Sequence, residues 1–264
     1  MSTEHSSNSS SSSSSGASSS STVMPQTTLL PLNNVGIVTF LDAIDKYTIP
    51  DIEKLREIAI QSEQADNDRA PNDRLFGSQR CTTALASLCF ATIEQLGLAL
   101  RYDFANAVNP ENVVKDALRS GNVKNAESFF NYARVTGLPL VDSSLLKAVY
   151  ILFRNKITHN LFPKHNLGVC QNETNNLTSL IITINGIRSL NVNCLANYVL
   201  QVIPALRVAV NQPGNFLFVN MVANNLTVID QAEEAILREE YLKTRPSYPN
   251  LQNELRTILP LFQF

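Results

Sequence analysis

The sequence predicts an all-α protein, a multi-helix bundle with one small β-hairpin insertion around residues 178–192. Apolar residues recur every three or four positions along most of the chain, which is the spacing of one helix face. Asp, Asn or Ser precedes several of these stretches, and Gly or Pro follows them, as is usual at helix ends. Near residues 179–192 the apolar period changes to that of two strands flanking an Asn-Gly pair.

The first 28 residues are predicted to be a disordered tail, and residues 29–264 a single domain. Serine dominates the tail from Ser6 to Thr22, and so few apolar side chains cannot offset the entropy cost of ordering a chain. The rest of the sequence shows no internal repeat and no second linker. With 44% hydrophobic and 17% charged residues, the chain can form a substantial core.

Two helices are predicted at the start of the domain. Residues 35–44 fit either a strand or a helix, and the helix is favoured. A second helix is expected to begin at Ile49-Pro50-Asp51, because proline suits the first turn of a helix, and to end near residue 64. The polar residues 65–77 include Pro71 and Gly77 and predict a loop.

The longest helix is predicted from Ser78 to about residue 104. Its apolar stripe is typical of a central bundle element and consists of Leu85, Leu88, Cys89, Thr92, Ile93, Leu96 and Leu100. Glu94 lies in the middle of this helix, where it either faces solvent or is buried and orients Arg154 or His159. Two shorter helices follow, from Asn109-Pro110 to Gly121 and from Asn122 to Gly137, the second packing through Phe129, Phe130, Tyr132 and Val135.

The next helix carries the most informative stretch of the chain, and Asp142 is its predicted N-cap. Leu145, Val149 and Leu152 repeat at helical spacing, and the apolar face is widened by Leu146, Tyr150, Phe153 and Ile157. Pro163 is expected to stop the helix. Its last two turns contain Arg154, Asn155 and His159 in the order Arg-Asn-x-x-x-His.

The remaining segments are predicted as follows. Residues 179–184 and 187–192 form two strands around Asn185-Gly186, the pair favoured in type I′ hairpin turns. Asn193 caps a helix that extends to about residue 210, is bent at Pro204 and packs through Leu195, Val199, Val202, Ile203 and Leu206. A turn at residues 212–214 and an apolar stretch at 216–222 precede a helix over about 227–243, with Ile229, Ala232, Ile236 and Leu237 inside. A last short helix begins at Pro249, and the apolar C-terminus is expected to dock onto the core.

The Arg-Asn-x-x-x-His residues have the chemistry required to cleave RNA. The permanently charged, planar guanidinium of Arg154 suits a phosphate, and the imidazole of His159 suits proton transfer near neutral pH. On an ideal helix Asn155 and His159 share a face, whereas Arg154 points about 140° away from His159. Arg154 and His159 would converge if Arg154 reached around the helix, if the helix loosened, or if a second copy docked alongside. The alternative is that these residues only cap the C-terminal end of the helix.

The segment Arg154–His159 resembles the Arg-x4-6-His signature of the HEPN superfamily, including the polar residue that usually follows the arginine. The flanking sequence FRNKITHNLFPKH is similar to that of bacterial HEPN proteins. The resemblance implies an α-helical bundle that dimerises. It also implies either a metal-independent endoribonuclease of a defence or toxin–antitoxin system, or a catalytically silent module that binds a partner protein, RNA or a nucleotide.

The enzyme interpretation assigns a role to each residue of the signature. Arg154 would hold the scissile phosphate, His159 would act as general base or acid, and Asn155 would orient the imidazole or the ribose. Because Arg154 and His159 diverge on one helix, a homodimer with paired motif helices is expected, with Tyr150 or Phe162 flanking the shared cleft. RNA and an antitoxin are the other candidate partners.

Charge and composition exclude several other classes. A net charge of −2 argues against a general polyanion-binding protein, although Glu173 is the single acid between Ser143 and Ile229, where six Lys or Arg residues lie. These bases form a positive site or are scattered solvated charges. Four cysteines and three histidines have no metal-ligand spacing, so neither a metal nor a cofactor is predicted. With no signal segment and no apolar run of membrane-spanning length, a cytoplasmic protein without a membrane segment is expected.

Overall fold

A computed structural model describes residues 35–70, 81–104, 107–160, 167–170, 179–184, 186–212 and 214–244. All of them lie in the unit Asn33–Phe264. The predicted disordered tail, the loop at residues 71–77, Phe162, Pro163 and the C-terminal helix lie outside the described residues. The predictions of one domain, a disordered tail and a docked C-terminus therefore stay predictions.

The described residues are mostly helical, with a small mixed sheet. The helices are α1 Val35–Ala43, α2 Ile49–Asn67, α3 Thr82–Ala99, α4 Pro110–Ser120, α5 Asn122–Val135, α6 Ser143–Val149, α7 Asn155–Asn160, α8 Val192–Asn211 and α9 Phe216–Thr244. The π-helical segments Ile44–Thr48 and Tyr150–Arg154 join α1 to α2 and α6 to α7, so that each pair forms one continuous helix. The coarse prediction of a helical fold with a small β insertion is confirmed.

The second helix begins at Ile49 as predicted, but it continues α1 without a break through the π-helical segment. Ile49 donates its N–H to the carbonyl oxygen of Ile44, which is the wider hydrogen-bond spacing of a π-helix. Pro50 follows directly and has no N–H to donate. The wider turn accommodates the proline inside a continuous helix, and α2 then extends to Asn67, beyond the predicted end near residue 64.

Helix α3 is the central element, as its apolar stripe predicts, but it is shorter than expected. It packs against α2, α5, α8 and α9, and buries Leu85, Cys89, Ile93, Leu96 and Leu100. The helix begins after Cys81 and ends at Ala99, and residues 101–104 turn away from its axis instead of continuing it. Helix α9, with 29 residues, is the longest described helix without a π-helical interruption, because residues 216–222 and 227–243 belong to one helix and not to two segments.

Local signals predicted α4, α5 and α8 well. The side chain of Asn109 accepts a hydrogen bond from the N–H of Asn112, with Pro110 at the first helical position. Helix α8 contains Pro204 and buries all five of its predicted core residues, but its N-cap is Asn191 and not Asn193. Val135 at the end of α5 is exposed, which corrects its prediction as a packing residue.

The predicted hairpin is part of a three-stranded sheet. Strands β2 Ile181–Ile184 and β3 Ile187–Asn191 pair antiparallel around the turn, with Ile184 opposite Ile187 and Gly186 at a φ of 79°. The additional strand β1 Leu167–Cys170 pairs parallel to β3, giving the order β1-β3-β2. Four residues without a marked alternation carry too weak a signal to predict such a strand.

Two of the described helices, α3 and α8, are long and apolar enough to cross a membrane by length and composition. Within their apolar windows, 61% of α3 and 56% of α8 is buried in the fold. Core helices of soluble proteins have the same character, so these lengths do not establish where the protein resides.

Candidate functional site

The helix that carries Arg154 begins as predicted and then widens. The Asp142 carboxylate accepts hydrogen bonds from the N–H groups of Ser144 at 2.8 Å and Leu145 at 3.2 Å, which confirms the N-cap. From Tyr150 to Arg154 the helix is π-helical, and Asn155 donates its N–H to the carbonyl of Tyr150. Single π turns within α-helices are rare and occur frequently at functional sites.

The buried face of this helix is centred slightly differently from the predicted one. Leu146, Val149, Tyr150, Phe153 and Ile157 are buried. Leu145, which was expected inside, is exposed together with Ile151. Arg154 follows Phe153 directly and therefore lies at the border between the core and the surface, where its guanidinium reaches a neighbouring helix.

Arg154 forms a bidentate ion pair with Glu94 of α3. Its Nε lies 2.7 Å from Oε1 and its Nη2 2.8 Å from Oε2. The Arg154 side chain is 16% exposed and the Glu94 side chain 14%, so both charges are largely removed from water. Of the two interpretations of Glu94, solvent exposure is therefore wrong, and the carboxylate orients Arg154.

Two asparagine amides complete the surroundings of the guanidinium. With its amide oxygen turned towards Arg154, Asn122 at the start of α5 accepts hydrogen bonds from Nη2 at 3.0 Å and from Nη1 at 3.2 Å. The side-chain oxygen of Asn155 accepts a longer bond from Nη1, at 3.4 Å. Charged and neutral partners are thus divided: Glu94 binds the Nε side of the guanidinium, and Nη1 faces neutral amides.

Tyr150 lies beneath this ion pair. Its ring contacts Phe90 edge-on at 5.5 Å, and its hydroxyl is buried near Glu94 without a hydrogen bond of regular geometry. Burial raises the pKa of Tyr150 far above its usual range, the negative charge of Glu94 raises it further, and Arg154 acts in the opposite direction. The phenol therefore stays protonated, and its neutral side chain lies next to the Glu94–Arg154 ion pair.

Asn155 and His159 lie in α7, one turn apart on the same side of the helix backbone. Asn155 is exposed and contacts Arg154, so these two motif residues are brought together. The backbone of His159 lies near the end of α7, but its side chain lies outside what the structure describes. The π-helical segment ends at Arg154, and the backbone from Asn155 to His159 is α-helical, so the convergence of the two side chains stays a prediction.

Three of the four cysteines are poorly suited to act as nucleophiles. All four are free, and burial raises the pKa of the Cys89, Cys170 and Cys194 thiols to about 12. Among residues with described side chains, no group of three His, Cys, Asp or Glu residues is arranged to hold a metal ion. The polar cluster of Glu94, Asn122, Tyr150, Arg154 and Asn155 is the candidate site.

Comparison with known proteins adds no assignment: no family model, curated protein or solved structure matches the chain. A functional interpretation therefore rests on the geometry around Arg154 and on the Arg-Asn-x-x-x-His order.

Proposed function

We propose that the chain is a HEPN-like, metal-independent endoribonuclease that acts through Arg154 and His159. The observation that carries this proposal is the bidentate Glu94–Arg154 pair, at 2.7 and 2.8 Å. A largely buried ion pair seldom adds stability over apolar residues of similar size, because desolvating both charges is costly. The ion pair at Arg154 is therefore better explained as a means of positioning the guanidinium than as a means of stabilising the fold.

The hydrogen-bond partners of Arg154 leave it able to bind a phosphate. Its Nη1 group faces the oxygens of Asn122 and Asn155, at 3.2 and 3.4 Å. Both bonds are long and have a neutral acceptor, whereas a phosphate oxygen is negatively charged and pairs with a guanidinium in the stronger, bidentate geometry. A phosphate that approaches from the exposed Asn155 side would replace them while Glu94 keeps the guanidinium in place.

The proposed reaction is attack by the ribose 2′-hydroxyl on the adjacent phosphorus. His159 takes the proton of the 2′-hydroxyl, the bond from the 2′-oxygen to phosphorus forms, and the bond from phosphorus to the 5′-oxygen breaks. The 5′-oxygen receives a proton from an imidazolium, contributed by His159 of the partner subunit in a homodimer. The products are a 2′,3′-cyclic phosphate and a 5′-hydroxyl end, and Arg154 stabilises the charge that develops on the phosphate oxygens.

The direct test compares variants of the full chain on labelled single-stranded RNA in the presence of a chelator. We expect His159→Ala to lower the cleavage rate about 10²- to 10⁴-fold, the usual contribution of a general base or acid. His165→Ala is the matched control and should cleave like wild type. If the site is shared across a dimer, mixing His159→Ala with Arg154→Lys should recover part of the lost activity.

The second candidate is a catalytically silent helical module that binds a partner protein, RNA or a nucleotide. The observation that favours it is that Glu94 and Asn122 already satisfy much of the guanidinium of Arg154, as expected for a purely structural arginine. Intact RNA after incubation with wild type, at the level seen with His159→Ala, would contradict the enzyme and favour this module.

A further inference from the structure

A second surface of the molecule carries three aromatic side chains from three different elements. Tyr132 of α5 and Phe218 of α9 stack nearly parallel, with ring centroids 5.5 Å apart and an interplanar angle of 11°. Tyr102 lies in the turn after α3, where Arg101 is bonded to Asn125 of α5 and Asn225 of α9, each about two helical turns from Tyr132 or Phe218. Burial raises the pKa of Tyr132 to about 12, and Tyr102 raises it further. We call Tyr102, Tyr132 and Phe218 the aromatic patch.

Hydrogen bonds of buried side chains fix the turn that carries Tyr102. Arg101 is buried and donates from Nε to Asp103 at 2.8 Å and from Nη1 to Asn125 at 3.1 Å. The Nδ2 of Asn225 donates to the carbonyl oxygens of Ala99 and Arg101, at 2.9 and 2.7 Å. These bonds fix the backbone on the N-terminal side of Tyr102 and the side chain of Asp103 on its other side.

Within this fixed turn Tyr102 points into solvent and is 67% exposed. A large aromatic ring that is exposed on a rigid turn loses little entropy on binding and is typical of an interaction site. Val135, one turn after Tyr132 on the same face of α5, is also exposed and enlarges the apolar surface. The aromatic patch is therefore preorganised to receive a flat ligand.

The charges around the aromatic patch favour a polyanion with flat bases. Residues 128–135 of α5 and 211–229, which include the first half of α9, contain no Asp or Glu. Lys124 is exposed two turns before Tyr132. Asp103 is an acid next to Tyr102, but its bonds to Arg101 and the nearby charge of Lys124 lower its pKa and compensate its charge. A nucleobase can stack on the rings while its phosphates meet these acid-free stretches of α5 and α9.

Helix α5 connects the aromatic patch to the candidate site. Asn122, at its first position, contacts Arg154, and Tyr132 lies ten residues further along. At about 1.5 Å per residue the two positions are about 15 Å apart along the helix axis. A stacked strand with about 3.4 Å between nucleotides spans that distance with about four nucleotides.

We propose that Tyr102, together with the stacked Tyr132 and Phe218, binds a base of single-stranded RNA within about four nucleotides of the phosphate at Arg154. The choice of RNA rests on the proposed function. The aromatic patch would set the minimal substrate length and would bind unpaired bases without sequence preference, because every base has a face that can stack.

The test measures RNA binding separately from cleavage. Full-length protein carrying His159→Ala is titrated against a fluorescent single-stranded RNA of about twelve nucleotides, a typical site size, and anisotropy gives the Kd. In this background Tyr102→Ala should weaken binding about 5- to 150-fold, which corresponds to about 1–3 kcal/mol for one stacked base. Tyr102→Phe keeps the stacking ring and should stay within about twofold of the parent.

Tyr47→Ala is the matched control, because Tyr47 is also an exposed tyrosine, 61% accessible, and lies beside Lys46 in the first π-helical segment. An equal loss of affinity in both alanine variants, no effect of Tyr102→Ala, or no RNA binding at tens of micromolar would overturn the aromatic patch as an RNA site. A change in oligomeric state with Tyr102→Ala at unchanged Kd would also overturn it, in favour of a protein partner.

The two proposals fail separately. Cleavage by wild type together with a Kd that is insensitive to Tyr102→Ala would remove the aromatic patch and leave the ribonuclease. A Tyr102-dependent Kd without any cleavage by wild type would keep the aromatic patch and make the protein a silent RNA-binding module.

Discussion

Arg154 and Arg101 have similar partners but different environments. Each guanidinium binds one carboxylate through two nitrogens and one asparagine from the first turn of α5, Asn122 or Asn125. For Arg101 the carboxylate is Asp103, two residues away, whose side chain is 54% exposed while that of Arg101 is 5% exposed. For Arg154 the carboxylate is Glu94, sixty residues away and as shielded as the arginine itself.

The different exposure of the two carboxylates decides what happens when each arginine is removed. Loss of Arg101 would leave Asp103 in contact with water, where its charge is well solvated. Loss of Arg154 would leave Glu94 charged and largely buried, which is the costly case. The carboxylate that binds Arg154 comes from a distant helix, so the position of Arg154 depends on the packing of the bundle. The carboxylate that binds Arg101 comes from the same turn, so that ion pair stiffens the turn locally.

The largest expected effect is that of Arg154→Met. Removing one member of a buried ion pair costs about 3–5 kcal/mol, and we expect about 3 kcal/mol because this pair keeps a small contact with solvent. The free energy of unfolding from urea titration, followed by circular dichroism, measures the loss.

The double variant Glu94→Leu with Arg154→Met is the control for this prediction. It removes both charges and should recover most of the lost stability, since an apolar pair of similar volume is often as stable as a buried ion pair. A double variant that is as unstable as Arg154→Met would show that packing, and not the stranded carboxylate, causes the loss. If the double variant regains its stability but does not cleave RNA, the ion pair is needed for activity and not for folding.

A smaller effect is expected for Arg101→Met, at about 2 kcal/mol. The substitution keeps much of the apolar stem but removes the donor to the buried oxygen of Asn125, and an unsatisfied buried acceptor costs about 1–3 kcal/mol. The same urea titration applies. A loss that exceeds that of Arg154→Met would contradict the comparison of the two arginines.

Local sequence signals predicted much of the fold, because each depends on neighbouring residues only. Asn109 and Asp142 are N-caps as expected, and the strands predicted on either side of the Asn-Gly pair are antiparallel neighbours. Both π-helical segments escaped prediction. The first follows from the missing N–H of Pro50, but the second contains no proline and no other local signal of a π turn.

The surroundings of Arg154 were only partly predictable for the same reason. The sequence identified Arg154 and Asn155 and left Glu94 with two interpretations, since a helical carboxylate sixty residues away gives no local sign of its partner. Asn122 was seen only as the start of a helix. The aromatic patch was missed because residues 101–104 were expected to continue α3, which gave no reason to consider Tyr102 exposed.

The smallest expected effect concerns the response of the two ion pairs to acid and salt. Hydrogen bonds from Arg101 hold the pKa of Asp103 below its ordinary value of about 3.9. A lowered pKa in the folded state means that the pair stabilises the fold above about pH 4 and loses this contribution as pH falls through the folded pKa. Because Asp103 is more than half exposed, the contribution should stay below about 1 kcal/mol.

The measurement is the difference in unfolding free energy between wild type and Asp103→Asn. It should be present at about pH 6, decrease as the pH falls below about 4, and shrink in about 1 M NaCl, where the Debye length falls to about 3 Å. The corresponding difference for Glu94→Gln should change little with salt, since the Glu94–Arg154 pair is shielded from ions. If salt changes the effects of Asp103→Asn and Glu94→Gln equally, water and ions reach the two ion pairs alike. The proposed distinction between Arg101 and Arg154 would then be wrong.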